Sequence, residues 1–180
     1  MTQNIYSNER LTIFAIGGGG RNIAHTIQAL SNDKAIDFIL CDTDKEIDSS
    51  IENRIDIENP SDSSEIEDKI KPYLSNITRA VVITSLGGKT GTEMTPLLLT
   101  VLHQNGVDAS CVATTPFAFE GENTQKALEC LKKIREAKSA LTVFENQTLM
   151  ETHKDINVMN AFRYVDETIA SIVFEQYSKS

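Results

Sequence analysis

The chain alternates short, almost purely apolar runs with longer stretches in which apolar and polar positions interleave. The runs are LTIFAI (Leu11 to Ile16), IDFILC (Ile36 to Cys41), AVVITSL (Ala80 to Leu86), ASCVAT (Ala109 to Thr114) and ALTVFE (Ala140 to Glu145). They are continuous rather than alternating, which predicts strands covered on both faces, as in a parallel sheet. The interleaved stretches predict helices near Arg21 to Leu30, Ser63 to Leu74, Thr95 to Gln104, Asn123 to Lys138 and Leu149 to His153. A last helix is expected from about Val158 to Phe174. There Val158, Phe162, Val165, Ile169, Ile172 and Val173 form one stripe, and Asn160, Arg163, Tyr164, Glu167, Thr168 and Ser171 leave the other side wet. Strand followed by helix, repeated along the chain, predicts βαβ units. The expected fold is α/β, a Rossmann-like three-layer sandwich with a parallel sheet and helices on both faces. At 180 residues, one domain over 1–180 is expected.

One zone breaks the pattern. SSIENRIDIENPSDSS, acidic and carrying Pro60, is expected to be a loop or irregular surface segment. Between Asp42 and Lys69 stand eleven Asp or Glu against three Lys or Arg, within a net charge of -9. This balance argues against nucleic acid as partner, because phosphate backbones need clustered Lys and Arg. A calcium loop at DTDKEIDSS is excluded by Ile47, which stands where the turn glycine is required. No apolar run reaches the roughly 18 residues of a membrane span, and the polar start MTQNIYSNER has no signal-peptide core, so no membrane is expected. Cys41, Cys111 and Cys130 show no CxxC spacing and fit packing in a reducing, cytoplasmic setting. His25, His103 and His153 are expected on helix surfaces, with no catalytic constellation around them.

Two glycine-rich turns carry the candidate chemistry. The first strand runs into GGGGRN, Gly17, Gly18, Gly19, Gly20, Arg21 and Asn22, and then into a helix. Backbone N–H groups exposed there, at the positive end of a helix, suit a phosphate. A dinucleotide fingerprint fails, because its third glycine falls on Asn22 or Ile23, although Asp42 or Asp44 could mimic the ribose acid. The second turn, LGGKTGTEMTP, holds Gly87, Gly88, Lys89, Thr90, Gly91 and Thr92, with a helix expected to begin near Pro96. Its GKT matches only the tail of a P-loop, since Ile83 replaces the first glycine. Two such loops on one sheet edge can wrap a polyphosphate from both sides.

These loops, with TTPFAFEGEN, FENQTLM and NAFRYVDE in that order, resemble the nucleotide-binding domain of the tubulin/FtsZ superfamily, on the FtsZ side of it. The resemblance implies a bound guanine nucleotide, GDP or GTP, with Mg2+ as a candidate companion. It implies that Gly17 to Gly20 with Asn22 form the first phosphate loop, that Asp44 lies in the loop after the second strand, and that Gly87 to Thr92 cradle the diphosphate. Glu120 then stands at the ribose hydroxyls, Asn146 reads the guanine edge, Phe162 stacks on the base, and Asp166 accepts from guanine N1 and N2. The last two share a helix face. Core packing for Phe162 and a surface acid for Asp166 stay open.

The departures from the family pattern are Arg21, Lys89 and Glu93 at glycine positions, Thr124 at an Arg position, and NPSDSS in place of the loop that meets the γ-phosphate. Lys89 and Arg21 add cations near phosphate; Glu93 adds an anion. Nothing after FEQYSKS matches the family's catalytic loop, so self-assembly-driven hydrolysis is not expected, and the wet face of the last helix favours a natural stop there. The partner implied is an FtsZ filament or further copies of the chain. The rival reading is a pseudo-GTPase, an interaction module that has kept the fold and lost the nucleotide.

Overall fold

The computed structural model describes residues 10–31, 36–46 and 50–178. The polar start of the chain and the centre of DTDKEIDSS, with Ile47, lie outside them. Six parallel strands form one sheet: β1 (Leu11–Ile16), β2 (Ile36–Asp42), β3 (Asn53–Asp56), β4 (Arg79–Ser85), β5 (Asp108–Thr115) and β6 (Ala140–Glu145). Their order is β3-β2-β1-β4-β5-β6, so the chain moves outward from β1 in one direction and then restarts beside β1 with β4. The helices are α1 (Gly17–Leu30), α2 (Ser63–Ile70), α3 (Lys89–Gln104), α4 (Glu122–Glu136), α5 (Asn146–Thr152) and α6 (Val158–Ser178).

Period-two alternation divides the sheet between two cores. Phe14 and Ile16 of β1 point to one side, against Ile66 and Ile70 of α2, Met94, Leu98 and Leu102 of α3, and Leu131 and Ile134 of α4. Leu11, Ile13 and Ala15 point to the other, against Ile23 and Ile27 of α1, Leu149 of α5, and Val165, Ile169 and Val173 of α6. This is the expected three-layer α/β arrangement. The central β1 is buried at every position, as its continuous apolar run predicts. β6 is not, being only half-buried along its middle, because it is an edge strand with a neighbour on one side only.

Four local expectations need correction. The acidic zone contains β3, which pairs with β2 from Ile39↔Asn53 to Asp42↔Asp56; the zone's three buried isoleucines, Ile51, Ile55 and Ile57, supply the anchoring that its charges mask. α1 begins at Gly17 and not at Arg21, so the glycines are the first helical turn. α3 begins at Lys89, which places Pro96 inside the helix instead of at its first position. His103 is half-buried, with Nδ1 3.2 Å from the Ala137 carbonyl and Nε2 3.1 Å from that of Ala109, and so ties α3 to the end of α4 and to β5. The three cysteines are buried and free, their thiols pushed up in pKa by burial, as small hydrophobes should be. Among the described residues no helix is long and apolar enough to cross a membrane.

Candidate functional site

A parallel sheet whose strand order reverses between two neighbours leaves a crevice at their carboxyl ends, because the helices that succeed them leave toward opposite faces. Here those neighbours are β1 and β4, in register from Thr12↔Ala80 to Ile16↔Thr84. Gly17 to Gly20 come directly after β1, and Leu86 to Thr92 directly after β4. The two turns touch: a Cβ on Gly17 would lie 3.4 Å from Thr90 Cβ. The loop after β2 joins them through Thr43 and Thr90, whose hydroxyls are 2.9 Å apart.

Packing, rather than a ligand, explains several of these glycines. A Cβ on Gly20 would meet the Ile83 carbonyl oxygen at 2.6 Å, one on Gly19 would meet Ser85 Cβ at 2.3 Å, and one on Gly91 would meet Thr84 Oγ1 at 2.5 Å. The helices therefore sit directly on β4. Gly87 adopts φ +105° with Pro116 behind it. Gly18 and Gly88 have no such reason. Nothing lies within 4 Å of a Cβ at Gly88, and at Gly18 only Arg21 Nη2 does, at 3.9 Å. Gly18 and Gly88 are therefore the two glycines of these turns at which no tight contact explains the missing Cβ.

Both helix starts keep their donors free of side-chain caps. α1 begins after Ile16 and α3 after Gly88, neither with a capping side chain, whereas Asp62 caps α2 through Ser64 N–H and Glu65 N–H. The first turn of an α-helix leaves N–H groups without intrahelical partners, and they carry the positive end of the dipole. Arg21 lies beside Gly18, and its buried Nη1 has no hydrogen-bond partner. Asn22 is exposed one residue on. Asp44 is exposed and shapes a turn, its carboxylate accepting from Glu46 N–H at 3.0 Å. Thr92 Oγ1 accepts from Gly87 N–H at 2.8 Å and so closes the second loop on itself.

Further along the sheet edge a second group assembles. Phe162 of α6 is 45% exposed and meets Phe117 edge to face, ring centres 5.1 Å apart. Ala118 N–H donates to Gln147 Oε1 at 2.9 Å, joining the turn after β5 to α5. Asn146, the first residue of α5, is 5% exposed, and its Oδ1 has no partner. Asp166 lies one turn after Phe162, half-buried, its pKa pushed up to about 6 by burial and then by Glu167. Glu120 has one carboxylate oxygen engaged by Phe117 N–H at 2.9 Å.

One feature escaped the sequence reading. A cleft of about 470 Å³ opens between the start of α3 and α4, walled by Lys89, Glu93, Lys126, Glu129 and Lys133. The signal was present, since 126, 129 and 133 follow helical spacing. Lys89 and Glu93 line this cleft, and Glu93 also accepts from the Ser61 hydroxyl at 2.7 Å. Among the described residues, no three of His, Cys, Asp and Glu gather as a metal-ligand set.

Residues 53–154 match the model of the Tubulin/FtsZ family, GTPase domain. The cell division protein FtsZ of Aquifex aeolicus is 33% identical over 108 residues, covering 59% of this chain and 29% of that protein. FtsZ of Mycoplasmopsis pulmonis is 26% identical over 189 residues, covering 95% of this chain and 48% of the relative. The chain spans about half the length, or less, of these curated relatives. Among solved structures, an empty FtsZ dimer from M. jannaschii superposes with a TM-score of 0.79 at 22% identity, over 92% of this chain and 53% of that one. CetZ from Methanosaeta thermophila gives 0.72 at 18%, over 94% and 54%. At those identities the superpositions speak for the fold.

Proposed function

The chain belongs to the Tubulin/FtsZ family, matching the model of its GTPase domain, and from that premise we propose that it binds a guanine nucleotide along the carboxyl edge of its sheet. The diphosphate lies over the uncapped starts of α1 and α3, at Gly17 to Asn22 and Gly87 to Thr92. The base lies against Phe162, with Asn146 and Asp166 at its edge and Glu120 toward the ribose. One observation carries this reading. Two of the buried polar atoms without partners have opposite hydrogen-bonding sense: Arg21 Nη1, a cationic donor, at the phosphate end, and Asn146 Oδ1, an acceptor, at the base end; Asp42 Oδ2, a third, is an acceptor beside the phosphate end. Unpaired buried polar groups are costly, and a guanine nucleotide supplies an acceptor for the first and a donor for the second.

These residues bind and orient the nucleotide; none of them transfers a proton or activates water, so turnover by them alone is weak or nil. The setting is cell division, on filaments of FtsZ or of further copies of the chain. The rival, an interaction module without nucleotide, is favoured by Glu120, whose carboxylate is partly occupied by Phe117 N–H. Isothermal titration of the chain with GDP separates the two. Micromolar or tighter binding, at least tenfold weaker in Arg21→Ala, supports the nucleotide site; no heat at millimolar GDP, or binding untouched by both Arg21→Ala and Asp166→Ala, sinks it.

A further inference from the structure

A nucleotide with its base beside α5 and α6 and its diphosphate over β4 and β1 runs along the sheet edge in the order of the strands. A third phosphate therefore extends toward the loops after β2 and β3. The loop after β3 is closed on itself. Glu58 N–H and Asn59 N–H both donate to the Glu65 carboxylate, at 2.7 and 2.9 Å. Ser61 N–H donates to Asn59 Oδ1 and Asp62 N–H to the Asn59 carbonyl. Ser64 N–H and Glu65 N–H donate to Asp62 Oδ1, and Pro60 has no N–H to offer. The Ser61 hydroxyl then fastens the turn to Glu93 on α3. Six backbone donors of the turn, at 58, 59, 61, 62, 64 and 65, are thus spent internally.

Charge acts in the same direction. The three basic residues between Asp42 and Lys69 are all engaged: Lys45 with Glu58 at 3.1 Å, Arg54 with Asp56 at 2.6 Å, and Lys69 with Glu65 at 2.8 Å. Among the described residues Glu93 forms no salt bridge; the partner of its carboxylate is the neutral Ser61 hydroxyl. Asp62 is likewise occupied by backbone N–H groups alone. A phosphate arriving there meets the Asp62 and Glu93 carboxylates while the three cations of the segment are already paired, a like-charge juxtaposition that costs binding energy.

We propose that the site selects nucleoside diphosphate over triphosphate, the latched acidic turn 58–65 and Glu93 excluding the third phosphate. This rests on the guanine-nucleotide reading above. The test is titration of the chain with GDP and with a non-hydrolysable GTP analogue, each with and without Mg2+, repeated with Glu93→Gln, which keeps an acceptor for Ser61 and removes one charge. The expected result is an analogue at least tenfold weaker than GDP in both conditions. Glu93→Gln is expected to narrow that gap severalfold by strengthening the analogue, with GDP affinity held within twofold. GDP binding with the analogue equal or tighter, with or without Mg2+, overturns the selectivity and leaves the nucleotide site standing, as does a gap unmoved by Glu93→Gln. Absence of GDP binding overturns both.

Discussion

Asp166 should make the chain less stable at neutral pH than it would be with a neutral group in its place. Burial, with Glu167 adding repulsion, lifts its pKa from 3.8 to about 6. The folded state thus holds the proton more tightly than the unfolded one. The stability this contributes is complete below about pH 4 and lost as pH rises through 6. The shift would correspond to roughly 3 kcal/mol for a fully enclosed group. Asp166 is only partly enclosed, so screening by solvent reduces the expected effect to about 1 kcal/mol. Asp166→Asn, neutral at every pH and of nearly the same shape, should raise Tm at pH 8 by about 2–4 °C for a domain of this size. The gain should shrink as pH falls through 6 and vanish near 4. Thermal melts followed by circular dichroism at pH 4, 5, 6, 7 and 8 measure this directly. The same substitution should weaken GDP at least tenfold, because an amide cannot accept from guanine N1 and N2 together. Wild-type GDP affinity should itself decline about tenfold per pH unit below 6, the proton competing for the carboxylate. A Tm difference that ignores pH, or a less stable Asp166→Asn at pH 8, would refute the burial argument.

Two glycines one loop apart should respond oppositely. Gly20→Ala forces a methyl to 2.6 Å from the Ile83 carbonyl and should cost about 1–3 kcal/mol in urea melts, whereas Gly88→Ala has open space and should stay within about 1 kcal/mol of wild type while weakening GDP. Ile169→Ala, on the fully buried face of α6, should cost about 2–5 kcal/mol by the same measurement. Glu65 is held down at a pKa of about 2 by the Glu58 N–H and then by Lys69, so the turn it closes should survive acid that protonates ordinary carboxylates. Its contribution is full above about pH 4.5 and lost only as pH falls through 2. Hydrogen exchange should find the Glu58 and Asn59 amides protected at pH 3.5 in the wild type and unprotected in Glu65→Gln.

Five of the six strands and the layering of helices were legible in the apolar runs, because a strand covered on both faces has no freedom to be anything but continuously apolar. LTIFAI is the clearest case, buried at all six positions. β3 was hidden: Asn53–Asp56 lies at the sheet edge, holds on through Ile55 and its pairing with β2, and reads as a charged linker without that neighbour. The helix starts were misplaced for a related reason. Glycine is a poor helix former by local propensity, yet Gly20 and Gly91 lie in the first turns of α1 and α3 because only a residue without Cβ lets those turns rest on Ile83, Thr84 and Ser85.

The sequence by itself therefore determined the residue types available to a ligand, the strands that carry them, and the family resemblance of their order. Those are properties of local pattern. Only the tertiary structure decided which glycines serve packing and which face open space, that Arg21 Nη1 and Asn146 Oδ1 are buried without partners, and that Ser61 reaches Glu93. Each of these depends on atoms far apart in the chain being held at fixed distance, and that distance is set by the packing of helices on both faces of the sheet.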